Sequence, residues 1–155
     1  MTHAQPVYTA ADVAAQPIID VDSFSTDDAV DLGLIAVAVI REWDVSLAVD
    51  VVLNGDLVFR AKLKDTGAGN DPWLAGKAAV VREFNEPSLL VKLRHEEAGT
   101  PFTDLDLDHD TLKAHGGSMP IRVHGEVVGT ITTSGEPDVV DHEATAEAVR
   151  RYLAR

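Results

Sequence analysis

The sequence predicts an α+β fold with a mainly antiparallel sheet. Strand-like segments come in pairs joined by tight turns: residues 46–53 and 57–63 flank Asn54 and Gly55, and a second pair lies within 119–134. Asn-Gly readily takes the positive φ angles that short hairpins need. Helical segments lie before, between and after these pairs. Because hairpins make antiparallel neighbours, this order favours α+β over a doubly wound parallel sheet.

Capping residues identify the helical segments. Ser25 and Thr26 can cap the first helix, and Asp71 can cap the second, in which Pro72 has no N–H to leave unpaired. Ser88 is expected to cap the third. The last helix is acidic at its start and basic at its end, as the helix dipole favours. The predicted helices are 26–43, 72–84, 88–98 and 138–154, with a short irregular helix at 105–115.

Length and composition predict one domain. The chain has 155 residues, 45% of them hydrophobic, which suits a single core. Residues 1–23 lack a sustained period, so we expect an N-terminal tail with a short helical turn at 9–15, followed by a single domain at 24–155. The start resembles no signal peptide, and the longest uncharged apolar run, 32–40, is about half a membrane span. A cytoplasmic protein is therefore expected.

Charge and cysteine content exclude several classes of function. Aspartate and glutamate number 26 against 13 lysines and arginines, and a field of this sign repels phosphate backbones and anionic lipids. We therefore expect no nucleic acid and no membrane as a partner. The chain has no cysteine, which rules out thiol catalysis, disulfides and thiolate metal sites.

The helix at 26–43 is apolar on every side. No charged residue lies between Asp31 and Arg41. A helix on one sheet buries only one stripe of its surface, so something else is expected to cover the outer side. The N-terminal tail or another helix is one candidate, and a second subunit is the other. The second alternative predicts a homo-oligomer formed through the helix 26–43.

Lys77 interrupts an apolar stripe made by Trp73, Val80 and Phe84. One interpretation is a snorkelling side chain, with its ammonium in water and a cation–π contact to Trp73. The other is a cation at the floor of a pocket, able to meet a carboxylate or phosphate. In that case its replacement by Met would weaken ligand binding and change folding stability little. Asp71 fits a helix cap better than a catalytic acid.

His115, Gly116 and Gly117 form a polar turn directly before a predicted strand. Adjacent glycines can let a ligand approach bare backbone N–H groups, although a plain turn has the same composition. The histidines show no metal-binding spacing, so no metal site is predicted. A Ser/His/Asp triad is disfavoured because the GxSxG motif is absent.

Several segments together resemble one known family, the haem-degrading-domain (GlcG/HbpS-like) proteins, and within it the poorly characterised branch of short stand-alone proteins. The most specific parts are the Asn-Asp-x-Trp-x-x-x-Lys and His-Gly-Gly-x-x-Pro-Ile patterns. The similarity runs in order from about 24 to 153. The segments are FSTDDAVDLG (24–33), the glycine of the first hairpin, TGAGNDPWLAGK (66–77), AHGGSMPIRV (114–123), VVGTITTSG (127–135) and VDHE (140–143).

The resemblance implies a profilin-like fold, with a five-stranded antiparallel sheet and helices packed on it, and homo-oligomeric assembly. It also implies that the AHGG turn faces the segment 70–77 and that its glycines keep that space open. Haem is bound by some members of the family. His115, His142 and Met119 are chemically able to bind its iron, and the resemblance does not select among them.

These observations lead to three hypotheses of function. The first is a small-ligand-binding protein for haem or another small anionic molecule, in which Lys77 meets a carboxylate and Lys77 and His115 share one concave surface. The second is an enzyme that acts on a small carboxylate metabolite, with His115 as the base. The third is an assembly module without catalysis. The predicted ligand-binding residues are Asn70, Asp71, Trp73, Lys77, His115, Gly116 and Gly117.

Overall fold

The computed structural model describes residues 5–155, and residues 1–4 of the predicted tail lie outside them. One five-stranded sheet has helices on both faces. The helices are α1 (Ala10–Ala14), α2 (Thr26–Trp43), α3 (Asp71–Phe84), α4 (Ser88–Glu97) and α5 (Asp138–Ala154). The strands are β1 (Ile19–Val21), β2 (Ala48–Leu53), β3 (Asp56–Lys62), β4 (Ser118–Val123) and β5 (Glu126–Ser134).

The strand order is β1-β4-β5-β2-β3. Three neighbouring pairs are antiparallel, whereas β1 runs parallel to β4 with Ile19 opposite Ile121. The prediction of an α+β fold with a five-stranded, mainly antiparallel sheet is therefore confirmed, and the fully antiparallel sheet that the resemblance implies is wrong. The physical reason is that the fifth strand comes from the N-terminal segment and not from a hairpin. The profilin-like assignment stays a prediction.

The N-terminal segment is part of the fold where a tail was expected. The helical turn predicted at 9–15 is present as α1, whose cap Thr9 makes a reciprocal capping box with Asp12. Apolar side chains of α1 pack on α4. Ile19 of β1 is fully buried in the main core. Because these contacts bury apolar surface, the ordered domain begins well before residue 24.

Helix α2 begins where the sequence predicts, with Ser25 and Asp28 forming a capping box. Its inner face joins the main core together with α5 and one face of the sheet. A Cβ at Gly33 would overlap the Phe59 ring, so this glycine permits close packing of α2 on β3. On the outer face Leu34 remains 56% exposed. Helix α1 packs on α4 instead, so it does not cover this face of α2.

Helices α3 and α4 cover the opposite face of the sheet. The Ser88 hydroxyl accepts a hydrogen bond from the Ser118 N–H at 3.0 Å, so it ties α4 to β4 and does not cap its own helix as predicted. Residues 105–115, predicted as an irregular helix, form turns that follow a short 3-10 helix at Phe102–Asp104. Their closely spaced carboxylates repel one another and leave no continuous apolar face, which explains the missing helix.

Candidate functional site

A cavity of about 380 Å³ lies at the end of the sheet where β5 stops and β4 begins. Helix α3 forms one wall, and the loop into α5 with the first turn of α5 forms the other. The lining residues are Gly69, Asn70, Trp73, Lys77, His115, Ser134, Gly135, Glu136, Asp138 and Asp141. Lys77 and His115, 38 positions apart in sequence, therefore border the same space.

Lys77 forms a buried ion pair. Its ammonium donates to Asp141 Oδ2 at 2.7 Å and to the Thr133 carbonyl at 2.9 Å, and both charged side chains are about 3% exposed. The snorkelling interpretation is thus wrong, because the ammonium is not in water. The expectation that Lys77 can be replaced with little effect on stability also loses its basis, since removal of the ammonium would leave a buried carboxylate unpaired.

The carboxylate of Asp141 is fixed at the start of α5 by three donors. Besides Lys77, the N–H groups of Gly135 and Glu136 donate to it, at 3.4 and 2.9 Å. Burial raises the pKa of Asp141 to about 6, because desolvation outweighs the Lys77 ammonium and the two amides. The carboxyl is therefore mainly ionised at pH 7. The pair connects helices on opposite faces of the sheet, α3 and α5.

The two glycines of the turn before β4 serve close packing. A Cβ at Gly116 would overlap the carbonyl oxygen of Asp138, and one at Gly117 would come within 2.9 Å of the Lys77 ammonium. Gly117 also has a φ of 138°, which side chains rarely tolerate. The Gly116 N–H donates to Asp138 Oδ2 at 3.2 Å. These glycines therefore allow the backbone of α5 and the Lys77 ammonium to lie close to the turn. The family resemblance implied instead that they keep the space open.

His115 stands at the cavity beside Asp138, with 3.9 Å between Nδ1 and Oδ2. Its side chain makes no hydrogen bond within residues 5–155 and is 41% exposed. Partial burial lowers the pKa of His115, and the nearby Lys92 ammonium lowers it further, against an opposing effect of Asp138. The imidazole is therefore neutral at pH 7 and has a nitrogen lone pair available.

Asp138 remains ionised next to this histidine. Burial alone would raise its pKa, but the hydrogen bonds from Lys92 at 2.8 Å and from the Gly116 amide reverse that effect, so the pKa of Asp138 is lowered. A neutral imidazole beside a fixed carboxylate can accept or relay a proton.

Trp73 is a large aromatic side chain left 41% exposed at the edge of the cavity. Its ring lies edge-on to His115, with 5.4 Å between centroids. The cation over Trp73 is Lys113, at 4.5 Å from the ring centre, and not the predicted Lys77. A second cavity of about 130 Å³ lies beyond the pair and is also lined by Trp73 and His115. The two rings therefore separate two cavities.

Asn70 and Asp71 take different positions. Asn70 lines the cavity, and its amide donates to the Ser134 carbonyl at 3.3 Å. Asp71 does not line it; its carboxylate pairs with Lys62 at 2.8 Å and makes no cap hydrogen bond. The Lys62 ammonium lowers the pKa of Asp71. The predicted cap role of Asp71 is thus replaced by an ion pair to β3.

The cavity includes a wall that the sequence did not indicate. Glu136, Asp138 and Asp141 come from the loop after β5 and the first turn of α5. Acidic residues in a first helical turn have a sufficient local explanation in the helix dipole, so no sequence signal separates them from ordinary caps. Of the other candidates for iron binding, His142 and Met119 lie in the core at 0% and 1% exposure.

Residues 5–155, which the structure describes, contain neither a metal-binding cluster nor a membrane-spanning helix. Among residues 5–155 no cluster of three or more histidine, aspartate or glutamate side chains is arranged to hold a metal ion. In the same range, the helices are either too short or too polar to cross a bilayer.

Fold and site define an α+β protein with helices on both faces of a mixed sheet and a polar cavity at the sheet's end. Residues 24–150 match the family model described as "Haem degrading protein HbpS-like", and the chain belongs to this family. A UPF0303 protein of Streptomyces coelicolor is 40% identical over 132 residues, which cover 84% of each chain.

Two of the solved structures that are similar to this chain illustrate the shared fold. The Ybr137w protein has a TM-score of 0.75 and 25% identity over 87% of this chain and 82% of that one. A structure described as a complex of PduOC with haem has a TM-score of 0.69 and 18% identity over 83% of this chain and 94% of that one. At 18% identity the second similarity concerns the fold alone.

Proposed function

We propose that this protein binds a small molecule in the cavity beside Trp73 and His115, and that its ligand is haem. The observation that carries the proposal is the exposed Trp73 ring next to a neutral, unbonded imidazole at the mouth of a 380 Å³ cavity. Ligand sites typically combine an apolar surface with a few convergent polar groups in a space of this size. Membership of the HbpS-like family selects haem as the first ligand to test.

The residues at the cavity suit haem in their donor chemistry. His115 is the one imidazole among the lining residues of the larger cavity, and its neutral state leaves a nitrogen that could bind iron. Trp73 offers an aromatic face or edge for a flat ligand. Bound haem would supply a redox-active iron, while these two side chains would hold and orient it.

The cation for a ligand carboxylate is Lys113 and not Lys77. The Lys77 ammonium is already neutralised by Asp141, and the same cavity contains Glu136 and Asp138, which repel an anion. Lys113 lies on the other side, over Trp73, and its ammonium donates only a long 3.4 Å hydrogen bond to the His109 carbonyl. An anionic group of the ligand would therefore lie toward Lys113.

A haem titration followed by absorption tests this function. The wild-type protein should give a saturating Soret shift at one haem per chain, and His115→Ala should weaken binding by about tenfold or more, since loss of a group that only supports a metal ligand already costs this much. His124→Ala is the matched control, since that side chain is 72% exposed on the β4–β5 turn. Equal binding by the His115 and His124 variants would contradict the assignment of His115.

Acid–base catalysis is a second candidate, favoured by the neutral His115 imidazole 3.9 Å from Asp138. In that case a small carboxylate substrate would lose a proton to His115. Native mass spectrometry of the purified protein separates the candidates: a retained haem supports the first, and a retained small carboxylic acid supports the second. A folded protein that retains neither and gives no Soret shift would favour the assembly module.

A further inference from the structure

The exposed residues of α2 form a stripe in which the intervals between residues are the same from either end. Asp27, Val30, Leu34, Ala38 and Arg41 are all exposed and lie three, four, four and three positions apart. Residues with this spacing share one face of a helix. The stripe is therefore symmetric about Leu34, with apolar residues inside and one charge at each end.

The central part of this stripe is apolar surface without a partner. Val30 is 37% exposed and Leu34 is 56% exposed. Helix α1 packs on α4, β1 joins the main core through Ile19, and α5 packs on another side of α2 within that core. A row of exposed aliphatic side chains on one helix is typical of a helix that pairs with another.

The two charges at the ends are opposite and unpaired. Neither the Asp27 carboxylate nor the Arg41 guanidinium makes an ion pair within residues 5–155. Other charged residues of the same helix do: Asp31 pairs with Arg155, and Glu42 pairs with Arg151. The end positions are fourteen residues apart, about 21 Å at 1.5 Å per residue.

We propose that α2 forms the two-fold contact of a homodimer. Two copies of the helix pack antiparallel, with Leu34 against the partner's Leu34 on the axis. Val30 then faces the partner's Ala38, and Asp27 faces the partner's Arg41, twice in the symmetric pair. An isologous contact of this kind requires one self-complementary patch, and the spacing about Leu34 supplies it. The contact between subunits of the expected oligomer is thereby assigned to one face of α2, and this assignment does not depend on the ligand.

Charge exchange tests this contact on the full chain by sedimentation equilibrium. In Asp27→Arg, arginine faces the partner's Arg41 at both ends; in Arg41→Asp, two aspartates meet at both ends. Each variant should raise the dissociation constant by at least about tenfold, because facing like charges disfavours association. An equimolar mixture of the two variants should associate as the wild type does, because every facing pair in the mixed dimer is opposite in charge.

Two control variants change the net charge equally at exposed positions elsewhere. Asp56→Arg changes the β2–β3 hairpin, and Arg82→Asp changes the outer side of α3. Both should associate like the wild type. Arg82 also borders an open groove between α3 and the sheet that contains the 48% exposed Leu57. If the second copy sat in that groove, Arg82→Asp would weaken association and the α2 variants would not, which would overturn the proposal.

Two further results would overturn it. One is a wild-type protein that remains at the 16.6 kDa mass of one chain throughout the micromolar range. The other is failure of the mixture to associate although each variant has the circular dichroism of the wild type. The second comparison separates loss of the contact from loss of folding.

Discussion

Replacing Lys77 by Met should strongly destabilise the fold. The ammonium and the Asp141 carboxylate are each about 3% exposed and 2.7 Å apart, so the variant leaves a carboxylate in the interior with only two backbone amides as donors. Breaking a buried ion pair on one side typically costs about 3–5 kcal/mol. For a domain of this size that corresponds to a fall in melting temperature of roughly 6–20 °C.

The loss should depend on pH in a defined direction. The pKa of Asp141 is raised to about 6 in the folded wild type, above the ordinary value of 3.8. Without the Lys77 ammonium the pKa should rise further, so that the variant binds a proton near neutral pH and avoids the buried charge. The difference in unfolding free energy between wild type and variant should therefore be largest at pH 8 and shrink toward pH 5.

Urea denaturation at pH 8, 7, 6 and 5 measures this difference directly. The double variant Lys77→Met/Asp141→Asn is the informative control, because Asn keeps an oxygen that can accept from the two amides while the charge is removed. It should recover at least half of the lost stability. Lys92→Met, which breaks a part-exposed pair with Asp138, should cost less. A Lys77→Met variant within 1 kcal/mol of the wild type at pH 8 would refute the reasoning.

Three other changes have expected outcomes. Gly33→Ala should destabilise the protein by about 1–3 kcal/mol in chemical denaturation, because the added Cβ overlaps the Phe59 ring; no loss would mean that the ring moves freely. Gly116→Ala should cost a similar amount and also disturb His115 in the haem titration, since its Cβ overlaps the Asp138 carbonyl oxygen in the first turn of α5. Burial, with a further contribution from Arg150, lowers the pKa of His142 to about 4 from 6.5, so the unfolded chain binds more protons between these values. This histidine should therefore remove about 3 kcal/mol of stability as pH falls from 6.5 to 4, at 1.36 kcal/mol per pKa unit, and His142→Gln should flatten that slope.

Local signals account for most of the secondary structure. Both hairpins occur at their glycine turns, with positive φ at Asn54, Gly55, His124 and Gly125. The capping residues around Ser25 start α2 as predicted. A turn or a cap is decided by residues within about four positions, so the sequence alone determines it. The sequence does not predict strand β1, because a three-residue parallel edge strand is too short to show a period and only its alignment with β4 orders it.

The candidate site, like the secondary structure, could be predicted from the sequence only in part. In the sequence alone, no local structural role explains why Lys77 and His115 stand at their positions. The motifs shared with the family indicate segments 70–77 and 114–117 as the site. Only the tertiary structure decided that Lys77 is neutralised by Asp141, 64 positions away, and that Lys113 is the cation over Trp73. The residue that pairs with a buried charge depends on which helices meet across the end of the sheet. Such pairing between distant segments leaves no trace in the spacing of residues along the chain.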